Sequence, residues 1–106
     1  MTLLIDDQRD LDADLIARNY NAGLLVLEWF TIDYLKLDHD LGPGKTGYDI
    51  VLKLEEWHSR GEDHELPTTV ELVTDNPVGM HKMAAALERI YPYSIGKRMF
   101  SKDPIK

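Results

Sequence analysis

The run Leu37-Asp38-His39-Asp40-Leu41-Gly42, followed by Thr46-Gly47-Tyr48-Asp49, constrains the fold of this chain more than any other stretch. An apolar segment ends abruptly in charged groups, and a glycine-bearing turn leads into a helical pattern. Open α/β sheets present their ligand-binding groups in this way, at the carboxyl ends of their strands. A second acidic pair, Asp6-Asp7, ends the apolar run Leu3-Leu4-Ile5. Two strands that bring acids to one rim predict a site for Mg²⁺ or Mn²⁺, which favour a few hard carboxylate oxygens and keep several waters. Asp6, Asp7 and Asp38 are the expected ligands. Asp40 is a further candidate, through its carboxylate or its backbone carbonyl, against a simpler role in capping the turn. Without a cation these acids repel one another, so at least one pKa should rise.

The rest of the chain reads as alternating strands and helices. Residues 3–5 predict a short buried strand and 14–18 a second, with a polar loop between them too short for a crossover helix. Asn19 offers a cap, and Ala22, Leu25, Val26 and Trp29 follow at helical spacing. Residues 32–37 form the strand feeding the acidic run. Residues 46–60 form the clearest helix, with Ile50, Val51, Leu54 and Trp57 as its apolar stripe and Gly61 as its stop. Residues 69–73 predict a strand. Asn76 then caps a helix with Pro77 at its first position, and Met80, Met83, Ala84 and Leu87 give its apolar face. Tyr93–Ile95 reads as a fifth, edge strand, and residues 102–106 as a frayed end. The fold class that follows is α/β: three-layer, with a mainly parallel four- or five-stranded sheet and helices on both faces. Lys36 is out of place in a central parallel strand. Its ammonium must reach an edge or pair with an acid.

A length of 106 residues implies one domain, spanning 1–106, with the tail 92–106 assigned only as far as that edge strand. The chain has no cysteine, which removes disulfide frameworks and thiolate zinc sites. Its opening residues lack a basic segment, and no apolar run approaches a membrane span. A cytoplasmic protein is expected. The formal net charge of −7 opposes non-specific binding to DNA. A small phosphorylated ligand held through a metal remains compatible with it.

Several residues are candidates for holding such a ligand. Arg9 offers a fork for phosphate, or a salt bridge to Asp10 or Asp12. Thr74 and Asn76 offer a hydroxyl and an amide at the same rim, where the helix from Pro77 directs its first amides. Lys82 is a further phosphate candidate, unless helical spacing turns it to solvent. Asp38 and His39 are the candidate catalytic pair, because imidazole exchanges a proton near neutral pH. The plain alternative for His39 is a hydrogen bond to its own turn. His81 is a candidate to face the site. His58 and His64 read as surface residues, and Tyr48 as a rim or core aromatic.

This pattern resembles the response-regulator receiver superfamily with its first helix missing. Asp6-Asp7 is similar to the receiver's acidic pair, Asp38 to its phosphoacceptor and Thr74 to its switch hydroxyl. The closer resemblance is to the cyclic-phosphate processing receiver-like domain. It rests on Asp6-Asp7-x-Arg9, Leu37-Asp38-His39-Asp40-Leu41-Gly42, Thr46-Gly47-Tyr48-Asp49 and Asn76-Pro77-Val78-Gly79, and runs to about Tyr91. It implies a receiver/flavodoxin-like fold and a metal-dependent phosphoesterase acting on cyclic phosphate, either an RNA 3′ end or a cyclic nucleotide. The chain departs from the family pattern where Val73-Thr74 replaces a His-Ser pair. The receiver lysine has only Lys97 as a counterpart. Two other functions stand beside the enzyme: a phosphoaccepting receiver, and a non-catalytic acidic module that engages a protein partner.

Overall fold

The computed structural model describes residues 1–105. Its sheet grows from Thr2–Ile5 (β1), whose Leu3, Leu4 and Ile5 are fully buried. Leu15–Ala17 (β2) and Tyr34–Leu37 (β3) flank β1 in parallel, and Thr69–Leu72 (β4) extends the sheet beyond β3. Helix α1 (Tyr20–Trp29) links β2 to β3, α2 (Gly47–Ser59) links β3 to β4, and α3 (Pro77–Glu88) follows β4. A hairpin of Tyr93–Ile95 (β5) and Met99–Ser101 (β6) completes the sheet, in the order β2-β1-β3-β4-β6-β5.

The α/β class, the mainly parallel sheet, the receiver-like order and the missing first helix are all present. The sheet has six strands rather than four or five. The additional one is β6, which runs antiparallel to β4 and inserts between it and the edge strand β5. Its register sets Phe100 beside Val70, and both are fully buried. The hairpin turns through Gly96 and Lys97, both at positive φ. A non-glycine residue in that conformation is uncommon.

The layering also differs from expectation. From β2 to β3, from β3 to β4 and from β4 to β5, each connection that carries a helix steps the same way across the sheet. Right-handed crossovers therefore put all three helices on one face. Leu3, Ile5, Leu35, Leu37, Val70 and Leu72 point to that face and join the helices in a single apolar cluster. The parallel step from β1 to β2 runs the other way, and residues 8–14 give it a loop instead of a helix. The opposite face, which carries no helix, is mostly polar, with Leu4 buried within it beside Lys36. Tyr34 donates its hydroxyl to Glu71 at 2.6 Å, and Lys36 reaches the Asp12 carbonyl with its ammonium at 2.7 Å. The long stem and charged head of Lys36 resolve its placement in an interior strand.

The C-terminal stretch is tied down. Lys102 donates its backbone N–H to Thr68 and its ammonium to the Asp63 carbonyl, while Lys106 lies outside the described residues. Among the described residues, no helix is long and apolar enough to cross a membrane.

Candidate functional site

Parallel pairing aligns the carboxyl ends of β1, β3 and β4. Ile5 pairs with Leu37, and Leu37 with Leu72, so Asp6, Asp38 and the segment from Val73 to Asn76 emerge at one rim. Asp6, Asp7 and Asp38 each bring a carboxylate oxygen within 4.8 Å of the others. Asp6 is 1% exposed and Asp38 8%. The cleft above them is also lined by Arg9, Asp40 and Asp75.

The two buried acids are held differently. Asp6 Oδ1 accepts the backbone N–H groups of Gln8 and Arg9, each at 3.0 Å, and Oδ2 accepts Arg9 Nε–H at 2.8 Å. Burial alone would raise the Asp6 pKa, but these donors and the Arg9 charge outweigh it and hold the carboxyl below its usual value. Asp38 moves the other way. Burial, reinforced by the Asp6 charge, pushes it up against the opposing bonds from Thr74 and the His39 N–H. One acid of the cluster therefore rises, as the sequence reading expected.

Arg9 is at the site, but its fork is largely taken. Besides Asp6 it donates through Nη2 to the Val73 carbonyl; the same nitrogen lies 3.7 Å from Asp38, and Nη1 lies 4.0 Å from Asp75. Thr74 is buried at 1% exposure. Its hydroxyl accepts the Asn76 N–H at 3.1 Å.

The remaining candidates surround this centre. Asp40 lines the cleft but lies outside the three-carboxylate group. It sits 3.1 Å from His39 Nδ1. The His39 ring is packed against the first turn of α3, where a Cβ on Gly79 would come within 2.4 Å of it. Asn76 caps that turn through Gly79 N–H, and its side-chain nitrogen is 3.5 Å from His39 Nδ1. Lys82 extends over the Tyr48 ring at 4.3 Å, a cation–π contact. His81 is exposed. His58 pairs with Asp63 and His64 with Glu65, on the surface as read.

The Thr46-to-Asp49 motif turns out to be scaffold for this rim. Thr46 and Asp49 form a reciprocal capping box. Gly47 allows the helix start to approach Asp38, since a Cβ there would lie 1.9 Å from the Asp38 carbonyl oxygen.

Sequence reasoning missed two arginines. Arg18 donates to the carbonyls of Asp6 and Arg9, at 3.2 and 2.7 Å. Its signal was its place directly after β2, beside Asp6 in a parallel pair. Arg98 donates to the carbonyls of Leu72 and Thr74, both at 3.2 Å, and so fixes the end of β4. It had no such signal, because β6 itself was unread.

The donor set suits a hard divalent cation. It consists of oxygens alone, and burial together with the Asp6 charge raises the Asp38 carboxyl, a cost that a cation would offset. Asp6 has one lone-pair direction left on Oδ2 after Arg9, so it would bind through that oxygen. No match is found among curated proteins or among solved structures. The family model for the cyclic-phosphate processing receiver domain matches residues 1–89. That span contains every acid of the cleft together with Arg9, His39, Thr74 and Asn76, and on this evidence the chain belongs to the cyclic-phosphate processing receiver domain family.

Proposed function

We propose that this domain binds Mg²⁺ or Mn²⁺ through Asp7, Asp38 and the free direction of Asp6, and opens a cyclic phosphate held beside them. The observation that carries this reading is the convergence of three carboxylate oxygens within 4.8 Å, one of them on an acid whose pKa burial and a neighbouring charge have raised. The cation would supply charge for the phosphoryl oxygens and a water acidic enough to attack at neutral pH. The ring opens when a water oxygen bonds phosphorus and one ring P–O bond breaks, leaving a phosphomonoester and a free hydroxyl. The departing oxygen needs a proton, and His39 is the imidazole at this rim. His39 Nδ1 lies 3.1 Å from the Asp40 carboxylate and 3.5 Å from the Asn76 amide nitrogen, which leaves Nε2 to carry the proton. Thr74, buried against Asp38, offers a hydroxyl toward the phosphate. Arg9 screens the acids and supplies a fork when it leaves the Val73 carbonyl. The substrates this fits are a cyclic-phosphate RNA 3′ end or a cyclic nucleotide.

The test is release of phosphomonoester from 2′,3′-cyclic mononucleotides and cyclic-phosphate-ended RNA, with Mg²⁺ or Mn²⁺ and with chelator. Metal-dependent release supports the reading. A protein that neither turns over these substrates nor gains thermal stability from either metal overturns it.

A phosphoaccepting receiver is the second reading, favoured by the buried Thr74 hydroxyl at the strand-end rim that also carries Asp38. Against it, the receiver lysine's counterpart Lys97 sits exposed in the hairpin turn at φ 55°. Acetyl phosphate should therefore leave the mass unchanged. A gain of one phosphoryl group that Asp38→Asn abolishes would put this reading first.

A further inference from the structure

Helix α1 carries two apolar faces. Tyr20, Gly23 and Leu27 are buried beneath it. Gly23 lies so close to the sheet that an added Cβ would meet the Ile5 side chain at 2.6 Å. The second face is Ala22, Leu25, Val26 and Trp29, at the i, i+3, i+4, i+7 spacing read in the sequence. Its Leu25 and Trp29 turn to solvent, while Ala22 and Val26 also touch the edge of the core. Trp29 is 77% exposed and Leu25 58%, while Ala22 and Val26 are half-buried along its flank. Phe30, also exposed, continues the patch just past the helix. A surface helix ordinarily carries polar residues on this side, and an apolar patch of this kind marks a contact surface.

The patch is also nearly free of charge. Residues 19–32 contain one charged side chain, Glu28, in a chain whose net charge is −7. At helical geometry Glu28 lies roughly 110° around the axis from the centre of the stripe.

We propose that this stripe is the contact surface for a second copy of the chain, with the two α1 helices packed antiparallel about a two-fold axis between Leu25 and Val26. In that register Trp29 lies opposite Ala22 of the second copy, and Leu25 opposite its Val26. The largest side chain meets the smallest at both ends, whereas parallel packing would stack Trp29 on Trp29. The contact is isologous and closes on itself. The stripe residues themselves bring no like charges together. Antiparallel helices also align their dipoles favourably. A basic partner has no acidic counterpart on the stripe to recognise. The exposed apolar surface is on the order of 400 Å² per copy, below the ~800 Å² per partner of a standard interface, so the dimer is weak and concentration-dependent.

Sedimentation velocity on the full chain with chelator, from about 10 µM to about 1 mM, tests this. The weight-average mass should climb from 12.2 kDa toward twice that value. Added salt should strengthen association, because it screens the repulsion between two acidic copies and leaves an apolar contact intact. Trp29→Glu should weaken dimerisation at least about tenfold. Because Trp29 is 77% exposed, its unfolding curve should match that of the wild type. Ala22→Trp should also weaken the dimer, and the exchange Ala22→Trp with Trp29→Ala should restore it. A wild-type chain that stays monomeric through 1 mM overturns the proposal. So does a dimer that Trp29→Glu leaves intact or that salt disrupts.

Discussion

Arg9 Nε–H donates to Asp6 Oδ2 at 2.8 Å, and this contact sets the two buried acids of the cleft apart. Asp6 is held below the ordinary carboxylate value, so its contribution to stability is present above that value and is lost as pH falls through the folded pKa. Asp38 is held above it, so ionising Asp38 costs stability, in full once pH exceeds its folded pKa. At pH 7 with chelator, Asp6→Asn should therefore destabilise the domain by about 1–2 kcal/mol, the worth of a charge-assisted bond. Asp38→Asn should raise stability. Urea midpoints for the two variants give the answer, and shifts of the same sign would refute the division of roles.

Metal should raise Tm. A concentration tenfold above Kd adds about 1.4 kcal/mol, or several degrees for a domain of this size. Protons compete for the same carboxylates, so the rise should fade with acidification at a higher pH than an ordinary aspartate would give, because Asp38 takes up its proton early. Asp38→Asn should remove the rise. Differential scanning calorimetry between pH 4 and pH 8, with and without Mg²⁺ or Mn²⁺, reads both effects.

His39→Ala should reduce cyclic-phosphate opening by roughly two to four orders of magnitude while the metal-induced Tm rise persists. Gly79→Ala should act in the same direction without touching a ligand, since its Cβ would be 2.4 Å from the His39 ring and must displace it. Turnover that survives both substitutions at the wild-type rate would remove His39 from the chemistry.

The polar face of the sheet makes an alkaline prediction. Burial and the bond to Glu71 push the Tyr34 phenol up to about 12 from its ordinary value near 10. Burial also raises Tyr91, whose hydroxyl donates to the Pro67 carbonyl at 2.7 Å. The unfolded chain gives up these protons first, so stability should fall as pH rises from about 10 to about 12. Tyr34→Phe should flatten that loss. Urea midpoints across this range, set beside absorbance of the phenolates, would show whether it does.

Much of the site could be read from residue order because the strands that carry it are parallel. An acid directly after a buried apolar run must emerge at the carboxyl edge, so Leu3-Leu4-Ile5-Asp6 and Leu35-Lys36-Leu37-Asp38 place their acids without knowledge of any contact. The helix caps Asn19 and Asn76 were legible for the same local reason. What escaped depended on pairing across the chain. Met99-Phe100-Ser101 is too short to signal a strand, and it becomes one only because Phe100 fills the core beside Val70. The apolar spacing in α1 identified a real stripe, but periodicity does not say which of two apolar faces the sheet will cover. Helices on both faces were expected from the α/β alternation. The direction in which each crossover steps decides the matter, and that follows from strand order, which no single segment encodes.

The hairpin begins at Tyr93, four residues beyond the end of the family match at residue 89. Yet it supplies Phe100 to the core and Arg98 to the carbonyls of Leu72 and Thr74. The region that defines the family is therefore smaller than the unit that folds. A piece cut at residue 89 would leave β4 as a bare sheet edge beside a void the size of a phenylalanine. It would also free the strand end that holds Thr74 over the acids. Any transplant of this cleft into another protein should therefore carry the hairpin with it.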